Sequence, residues 1–321
     1  STQHLFAVSG VQQLEDGSIV VANRGTSELR VFDSKGAFVR AIGRRGEGPE
    51  DFSAIYGLYR CAQDTLVVSE HGRLGILDAQ LRFVRKIPIA AFSRVSQIVE
   101  GVSSDCSAVL LLGGDPLLEP YPPGTYHQNY TLYWATVNGT RRDTVARIQG
   151  PERVTVDYSG MSLPQILPWG KTSLWALGRD RLYLGKSDEF EIRAFDRQGG
   201  LYTIIRWSGE TRPVMADDRA LYMKKREQLI RMEQRQAQLV PPIDHFANLP
   251  ERKPVYSRLL ADDEDNLWLL KYPDSAAGRP GLFDFERGTT FDVWSVFDRN
   301  GRLLGNVQVP SRLKVINVQR N

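Results

Sequence analysis

Oxygen-bearing side chains at the ends of short apolar segments are the first candidates for chemistry in this sequence. Asn23 and Glu70 end two segments that share a pattern, and His71 follows Glu70 directly. Asp115 follows a third apolar segment. Carboxylate and amide oxygens are the ligands that Ca²⁺ prefers, so Asn23, Glu70 and Asp115 are candidates for a calcium site, and His71 is a further candidate metal ligand. The alternative is that polar residues in these places only form turns, and no other cofactor is indicated.

A second group of candidates lies in long connections that are rich in proline and aromatic residues. Tyr121, Tyr126 and His127 belong to the stretch 113–129, and Trp169 belongs to a second long connection. Long ordered loops often carry binding residues, because a rigid scaffold presents them at the surface. We therefore expect these four side chains to contact a ligand or a partner, with structural packing as the alternative.

Common motifs of catalysis do not occur in the sequence. The four histidines lack the spacing of a zinc site, and there is no Gly-x-Ser-x-Gly or His-Glu-x-x-His motif. The stretch 43–49 is rich in glycine, but it lacks the Gly-Lys-Ser/Thr element of phosphate-binding loops, so we interpret it as a turn. These observations favour a protein without enzymatic activity.

Composition argues against several classes of protein. The chain has 321 residues, of which 41% are hydrophobic and 25% are charged, as is typical of globular proteins. A net charge of +3 is too small to predict nucleic-acid binding. No apolar run reaches the roughly 18 residues that a membrane span needs. The start at Ser1, without a methionine, fits a secreted chain whose signal peptide has been removed and equally fits a trimmed chain.

Short strands in a repeated pattern must position the candidate residues. β-branched and aromatic residues alternate with polar ones between Gly, Asp and Asn turns, first over 16–42 and again over 64–87. A period of about 45 residues suits blades of four strands each and predicts a β-propeller. The copies are assigned to residues 8–43, 53–88, 95–148, 172–207 and 255–309, with a partial copy at 312–321 and a helical insertion at 208–254.

Two local signals add detail to this organisation. The third strand of several copies ends in Phe-Asp or Leu-Asp, as at Asp33 and Asp78, and we expect the Asp side chain to cap the following turn. Residues 217–239 combine helix-forming residues with a broken apolar stripe and end before two prolines. This segment predicts the helix of the insertion.

The connection 42–52, with the sequence Ile-Gly-Arg-Arg-Gly-Glu-Gly-Pro-Glu-Asp-Phe, resembles the joint between blades of NHL-repeat propellers. The strand patterns over 16–90 and 255–310 are similar to those that surround this joint in the family. The resemblance implies a six-bladed β-propeller of four-stranded antiparallel blades, as in bacterial extracytoplasmic propeller proteins. This sequence contains five four-strand copies and one further strand, at 312–318. Either the chain is part of a six-bladed propeller, which we favour, or the ring has five blades.

The resemblance also implies a location outside the cytoplasm, either extracellular or periplasmic. We predict a non-catalytic binding or assembly module that contacts a protein, a glycan or a small ligand through a propeller face and its long loops. NHL-type lyases and related lactonases hold a metal on the propeller axis with His, Asn or carboxylate side chains, so a metal-dependent enzyme is the alternative. A third interpretation is a structural subunit of an extracellular assembly, joined through its terminal strands.

The two cysteines lie in corresponding loops of neighbouring copies. Cys61 and Cys106 each follow the innermost strand, in the second and third copies respectively. Because those loops share one face of a propeller, we expect a disulfide between them if the compartment is oxidising. Two sequons, at Asn129 and Asn138, are candidates for glycosylation if the source is eukaryotic.

Overall fold

The computed structural model describes residues 4–89, 97–115, 121–137, 142–158, 160–232, 242–246, 248–273 and 291–319. The chain divides into two compact units. The first unit comprises residues 1–114, 131–147 and 315–321, and the second comprises residues 115–130 and 148–314.

The described strands form five antiparallel sheets, which we call blades 1 to 5. Blade 1 contains β1 (Val8–Gln13), β2 (Ile19–Asn23), β3 (Glu28–Phe32) and β4 (Phe38–Ile42). Blade 2 contains β5 (Ile55–Arg60), β6 (Leu66–Glu70), β7 (Arg73–Leu77) and β8 (Phe83–Pro88). Blade 3 contains β9 (Gln97–Val102), β10 (Ala108–Gly114), β11 (Thr125–Thr136), β12 (Arg142–Tyr158) and β13 (Met161–Ile166).

Blade 4 contains β14 (Ser173–Leu177), β15 (Leu182–Lys186), β16 (Glu191–Phe195) and β17 (Leu201–Arg206). Blade 5 contains β18 (Tyr256–Ala261), β19 (Leu267–Lys271), β20 (Phe291–Phe297) and β21 (Leu303–Pro310). The helix α1 covers Ala216–Met232, and two short 3₁₀ helices cover Ala62–Asp64 and Ile243–His245. Blades 1, 2, 4 and 5 each pair their strands in chain order, which confirms the predicted fold class of four-stranded antiparallel blades with one helical insertion.

The turn between the third and fourth strands has the same construction in several blades. The carboxylate of Asp33 accepts hydrogen bonds from two backbone N–H groups of its turn, at 2.8 and 2.9 Å. Asp78, Asp196 and Asp298 also accept backbone N–H groups in the corresponding turns. The predicted Asp caps are therefore present in blades 1, 2, 4 and 5, where they precede the outermost strand at an equivalent point.

Blade 3 differs from the predicted four-strand copy that ended at residue 148. Strands β11 and β12 are longer than predicted, and β13 pairs with the second half of β12 as a fifth strand. Alternating residues continue through this extension, and Val154 and Val156 are both buried. The prediction was wrong here because it treated the extension as loop.

Helix α1 packs through a partly charged face. The sequence suggested a stripe that includes Leu221, which is only partly buried, whereas Asp218, Tyr222 and Lys225 are buried. The Asp218 carboxylate forms an ion pair with Lys253 Nζ at 2.6 Å. Tyr222 packs in an apolar cluster with Trp169 and Phe246, which holds the helix in place, and the ion pair satisfies the two buried charges.

The structure joins Cys61 and Cys106 by a disulfide, with their Cα atoms 5.5 Å apart. Cys106 lies two residues before the second strand of blade 3 and has a positive φ of 58°. Asp64 and Asp265 lie at the same point of blades 2 and 5 and also have positive φ. Each of these carboxylates accepts a backbone N–H from the preceding blade, at 3.0 Å from Glu15 N and from Asp180 N respectively. The disulfide thus links blades 2 and 3 at the point where an aspartate links blades 1 and 2 and blades 4 and 5.

The C-terminal residues do not form the predicted strand at 312–318. Among the described residues, 312–319 have no strand pairing. Their side chains instead contact β1, where Asn317 Nδ2 donates to Val11 O at 3.2 Å and Gln319 Oε1 accepts Gln13 N at 3.0 Å. Side-chain hydrogen bonds therefore attach this segment to the innermost strand of blade 1.

Candidate functional site

Asn23, the first predicted calcium ligand, is fully buried and makes internal hydrogen bonds. Its Oδ1 accepts the backbone N–H of Phe6 at 2.6 Å, and its Nδ2 donates to Thr26 Oγ1 at 2.7 Å. The side chain therefore fixes the chain that precedes β1 and the turn that follows β2.

Glu70, the second predicted ligand, has a side-chain exposure of 0%. Its Oε1 lies 3.4 Å from Lys86 Nζ, and its Oε2 lies 3.7 Å from Arg73 Nε and accepts the Ser53 N–H at 3.1 Å. Two cations and a backbone donor therefore already balance this carboxylate.

The other two predicted ligands are exposed. The His71 ring lies 6.4 Å from the ring of Tyr56, and the Asp115 backbone N–H donates to Asn129 O. Among the described residues, no group of three or more His, Cys, Asp or Glu side chains is arranged to hold a metal ion. The structure therefore does not bring the four predicted residues together in such a group.

The predicted aromatic contacts divide into a surface set and a core residue. Tyr121, Tyr126 and His127 are half-buried, and His127 Nδ1 lies 2.8 Å from Gly150 O. Trp169 is only 2% exposed and packs with its ring 6.3 Å from that of Tyr222 on helix α1. Trp169 is thus a core residue of the second unit, because the helix covers it, and it does not offer a surface for ligands.

A cleft that the sequence did not reveal lies on one face of blade 5. Its volume is about 850 Å³, within the usual range of small-molecule sites. Alternate residues of a strand point to the same face, so β19, β20 and β21 together make its floor. The floor residues are Leu269, Lys271, Phe291, Val293, Ser295, Phe297, Leu303 and Asn306.

Residues that lead away from blade 4 form the walls of this cleft. Trp207 follows β17 directly, and its ring lies 5.8 Å from Phe190, 6.1 Å from Tyr256 and 5.8 Å from Phe297. Trp207 therefore fills the part of the junction next to the innermost strand β18. Further wall residues are Arg206, Ser208, Gly209, Glu210 and Arg212 after blade 4 and Pro254 and Val255 before blade 5, and the lining also includes Tyr272, Pro273, Asp292 and Gly301.

The matching junction between blades 1 and 2 is closed. Phe52, at the end of the connection 43–52, is 0% exposed, and its ring lies 5.2 Å from that of Phe83. Lys86 Nζ lies 5.7 Å from the centre of the Phe52 ring and donates to Gly48 O at 3.3 Å and to a second carbonyl of the connection. Phe52 and Lys86 together seal the face of blade 2 that corresponds to the floor of the cleft.

Strand register makes these two faces comparable residue by residue. Glu70 and Lys271 each end the second strand of a blade and pair with the first residue of the innermost strand. Lys86 and Asn306 lie at corresponding points of the fourth strand, where they pair with Gly75 and Ser295 respectively. The closed face thus carries an ion pair where the open face has a lysine and a neutral amide.

Burial and pairing determine the charges around the cleft. Arg206 Nε forms an ion pair with Glu191 at 2.8 Å, and this pairing helps to lower the pKa of Glu191, after the hydrogen bond from Arg193. Burial lowers the pKa of Arg212, which donates to the backbone carbonyl of Tyr272. These two arginines are thereby fixed in the wall by neighbouring groups.

Comparison with known proteins identifies the architecture. Residues 1–59 match the DUF5128 family, described as a 6-bladed beta-propeller. A member of the DUF4221 family from Bacteroides vulgatus aligns with 97% of this chain and 83% of its own, at 11% identity and a TM-score of 0.51. The fold is a β-propeller.

Other propeller structures align over similar lengths. A Bacteroides fragilis protein named as exported aligns with 97% of this chain and 73% of its own, at 12% identity and a TM-score of 0.46. A gluconolactonase from Xanthomonas campestris aligns with 94% of this chain and 76% of its own, at 16% identity and a TM-score of 0.42. No curated protein sequence matches the chain significantly. These similarities concern the fold and leave the activity to be argued from the site.

Proposed function

We propose that this propeller is a non-catalytic binding module outside the cytoplasm, and that its cleft on blade 5 holds a small ligand. The observation that carries the proposal is the cleft that the described residues leave open on blade 5, whereas Phe52 seals the equivalent face of blade 2. A concave site of about 850 Å³ with aromatic walls and a few polar groups has the character of a ligand pocket.

The residues that line the cleft support binding over catalysis. In the described part of the chain, its lining includes neither histidine nor cysteine. The hydroxyls of Ser208 and Ser295 therefore have no adjacent imidazole in the lining that could act as a general base. Aromatic rings and hydrogen-bonding side chains suit recognition of a ligand that is not transformed.

The disulfide supports the location. Cys61 and Cys106 are joined, and disulfides persist mainly in oxidising compartments such as the periplasm and the extracellular space. Within the described residues, no helix combines the length and the apolar character that a membrane crossing needs.

The proposal is tested by filling the cleft with a large side chain. A chemically diverse set of small molecules is screened against the wild-type protein by saturation-transfer NMR, and the screen is repeated with Asn306→Trp. Asn306 lines the cleft, so the indole should occupy the space and remove the binding signals. Val307→Trp is the matched control, because Val307 is the next residue of β21 and faces the opposite side.

We expect the control to retain the signals of the wild type, with both variants unfolding at the wild-type temperature. Equal binding by wild type and Asn306→Trp would contradict a ligand site in this cleft. A complete lack of binding to the wild type across the set would contradict the small-ligand function.

A further inference from the structure

We infer that the ligand of the cleft is a small organic carboxylate, whose carboxylate group pairs with the Lys271 ammonium while its apolar body lies against the aromatic wall. This inference rests on the proposed function and adds the chemical class of the ligand. It follows from comparing the charges on the two equivalent blade faces.

The charge at the end of the second strand is reversed between blades 2 and 5. Blade 2 has Glu70 at this point and blade 5 has Lys271, in the same register. Glu70 is fully buried and its charge is balanced by Lys86 at 3.4 Å. Lys271 is exposed at the cleft, and the position that corresponds to Lys86 holds the neutral Asn306.

The backbone donor that accompanies the buried carboxylate of blade 2 has no counterpart in blade 5. Ser53 N–H donates to Glu70 Oε2 at 3.1 Å, and Ser53 lies two residues before the innermost strand. The corresponding residue of blade 5 is Pro254, which has no N–H group. Blade 5 thus lacks both the acid and the backbone donor that would hold it. These two differences together indicate that Lys271 binds an anion that does not come from its own blade.

The charged side chains that line the cleft differ in whether they already have partners. Lys271 forms no ion pair within the described part of the chain, whereas Arg206 pairs with Glu191 and Arg212 donates to a backbone carbonyl. Among the described residues, the acids in the lining are Glu210, which is exposed, and Asp292, which is buried. The described lining therefore carries three cations and two carboxylates, and Lys271 is the cation in it that is available to a ligand.

Aromatic side chains line the part of the cleft that would contact the rest of the ligand. Phe291 is 46% exposed at the cleft, and Trp207 presents a ring beside Phe190. Aromatic faces stack on planar rings and on the apolar faces of sugars alike. Ser295 Oγ donates to Asn306 Oδ1 at 2.7 Å, so the amide N–H groups of the exposed Asn306 are what this pair offers to a ligand, and a ring-shaped acid matches both the apolar and the polar parts of the lining.

Two pairs of probes separate the charge of a ligand from its shape. Indole-3-acetate is compared with indole-3-acetamide, and a trigalacturonate is compared with the neutral galactose trimer. The dissociation constant of each probe is measured by calorimetric or NMR titration at low and high salt. These pairs also distinguish an aromatic acid from a sugar acid as the source of the carboxylate.

Lys271→Gln removes the charge, and Lys186→Gln is the matched control. Lys186 ends the second strand of blade 4 at the same register point, but it already pairs with Glu189 at 3.2 Å. We expect an acidic probe to bind the wild type roughly tenfold more tightly than its neutral partner, which is the size of one charge-assisted hydrogen bond. This preference should disappear in Lys271→Gln, persist in Lys186→Gln and weaken with salt.

A second variant tests the inference by reconstruction. Lys271→Glu combined with Asn306→Lys places the Glu70 and Lys86 pair of blade 2 on blade 5, and we expect it to abolish acid binding without unfolding the protein. If neutral and acidic probes bind equally well, and Lys271→Gln changes neither, the inference is overturned while the cleft remains a binding site. If no probe binds at all, and Asn306→Trp also leaves the small-molecule screen unchanged, both the inference and the proposed function fail.

Discussion

The junction between blades 1 and 2 is filled, whereas the described residues leave the junction between blades 4 and 5 open, although both pairs of blades use the same strand order and register. In the first, Phe52 and Lys86 cover the face of blade 2. In the second, Trp207 fills only the part next to β18, and a cleft of about 850 Å³ remains. The repeated strands thus provide equivalent positions, and the residues at a few of these positions decide whether the described part of a junction is filled or leaves a cleft.

The connection that precedes each blade explains how this difference arises. Gly43 has a φ of +71°, and a Cβ atom at this position would lie 2.5 Å from the Phe52 ring. A glycine is therefore required for the chain to turn back and insert the ring. Before blade 5 the connection contains helix α1, and the position that corresponds to Phe52 is occupied by Lys253, which pairs with Asp218.

Of the changes considered, removal of the Phe52 side chain should lower the free energy of unfolding most. Phe52→Ala leaves a cavity in the closed junction, and we expect the free energy of unfolding to fall by about 3–5 kcal/mol in a urea titration. Phe291→Ala, on the floor of the open cleft, should lower the free energy of unfolding by less than about 1 kcal/mol, because the ring is 46% exposed. Similar losses for the two variants would show that the junctions do not differ in packing.

Removal of the disulfide should come next in size. Cys61 and Cys106 close a loop with a sequence separation of 45 residues, so replacing both by Ala should lower the free energy of unfolding by about 2–4 kcal/mol. Thermal unfolding of the double variant, with the reduced wild type as a control, measures this loss. A double variant as stable as the oxidised wild type would rule out the disulfide as a main link between blades 2 and 3.

The buried ion pair predicts a smaller and more selective effect. Lys86→Met leaves the Glu70 carboxylate without its nearest cation, and we expect a loss of about 1–3 kcal/mol in the free energy of unfolding. Lys271→Met should change this free energy by no more than about 0.5 kcal/mol, because its ammonium is exposed and forms no pair in the described structure. If the two methionine variants were equally destabilised, Lys271 would be a structural residue.

The smallest expected effect is a pH dependence at the junction of blades 4 and 5. Burial raises the pKa of Asp265 above its ordinary value of 3.8. A carboxyl whose folded pKa is raised stabilises the protein at pH values below its unfolded pKa, and this stabilisation is lost as the pH rises through the folded pKa. Asp265→Asn keeps an acceptor for the Asp180 N–H but does not titrate.

Unfolding midpoints of wild type and Asp265→Asn, measured from acidic to neutral pH, test this prediction. As the pH rises above about 4, the wild type should lose stability relative to Asp265→Asn. A difference that stays constant over this range would contradict the raised pKa of Asp265.

Local signals in the sequence predicted the blades because each signal acts within a few residues. Alternation of side chains and the Asp residues of the turns, such as Asp33, depend only on neighbours in the chain. The equivalence of Asn23 and Glu70 could also be predicted, since both end the second strand of a copy. Their interpretation as calcium ligands did not anticipate Ser53 and Lys86, which lie on other elements and already surround Glu70.

The cleft could not be predicted because it depends on where the described part of the connection between blades 4 and 5 runs, which no local signal in the sequence specifies. One signal was present in the sequence, since the glycine-rich joint that ends in Phe52 has no counterpart before Tyr256. Trp169 was assigned to the surface for a related reason. Its burial depends on Tyr222 of helix α1, and the sequence does not say where a helical insertion packs.

A chemical-shift map with an acidic probe tests whether the cleft of blade 5 binds a carboxylate, because one titration examines both junctions. Indole-3-acetate and trigalacturonate are added in turn to the isotope-labelled wild-type protein, and backbone amide shifts are followed on blades 2 and 5. The account predicts saturable shifts at Lys271, Ser295 and Asn306, with none at the corresponding Glu70, Gly75 and Lys86. Shifts at the blade 2 positions, or none at the blade 5 positions for either probe, would contradict the assignment of the open junction as the carboxylate site.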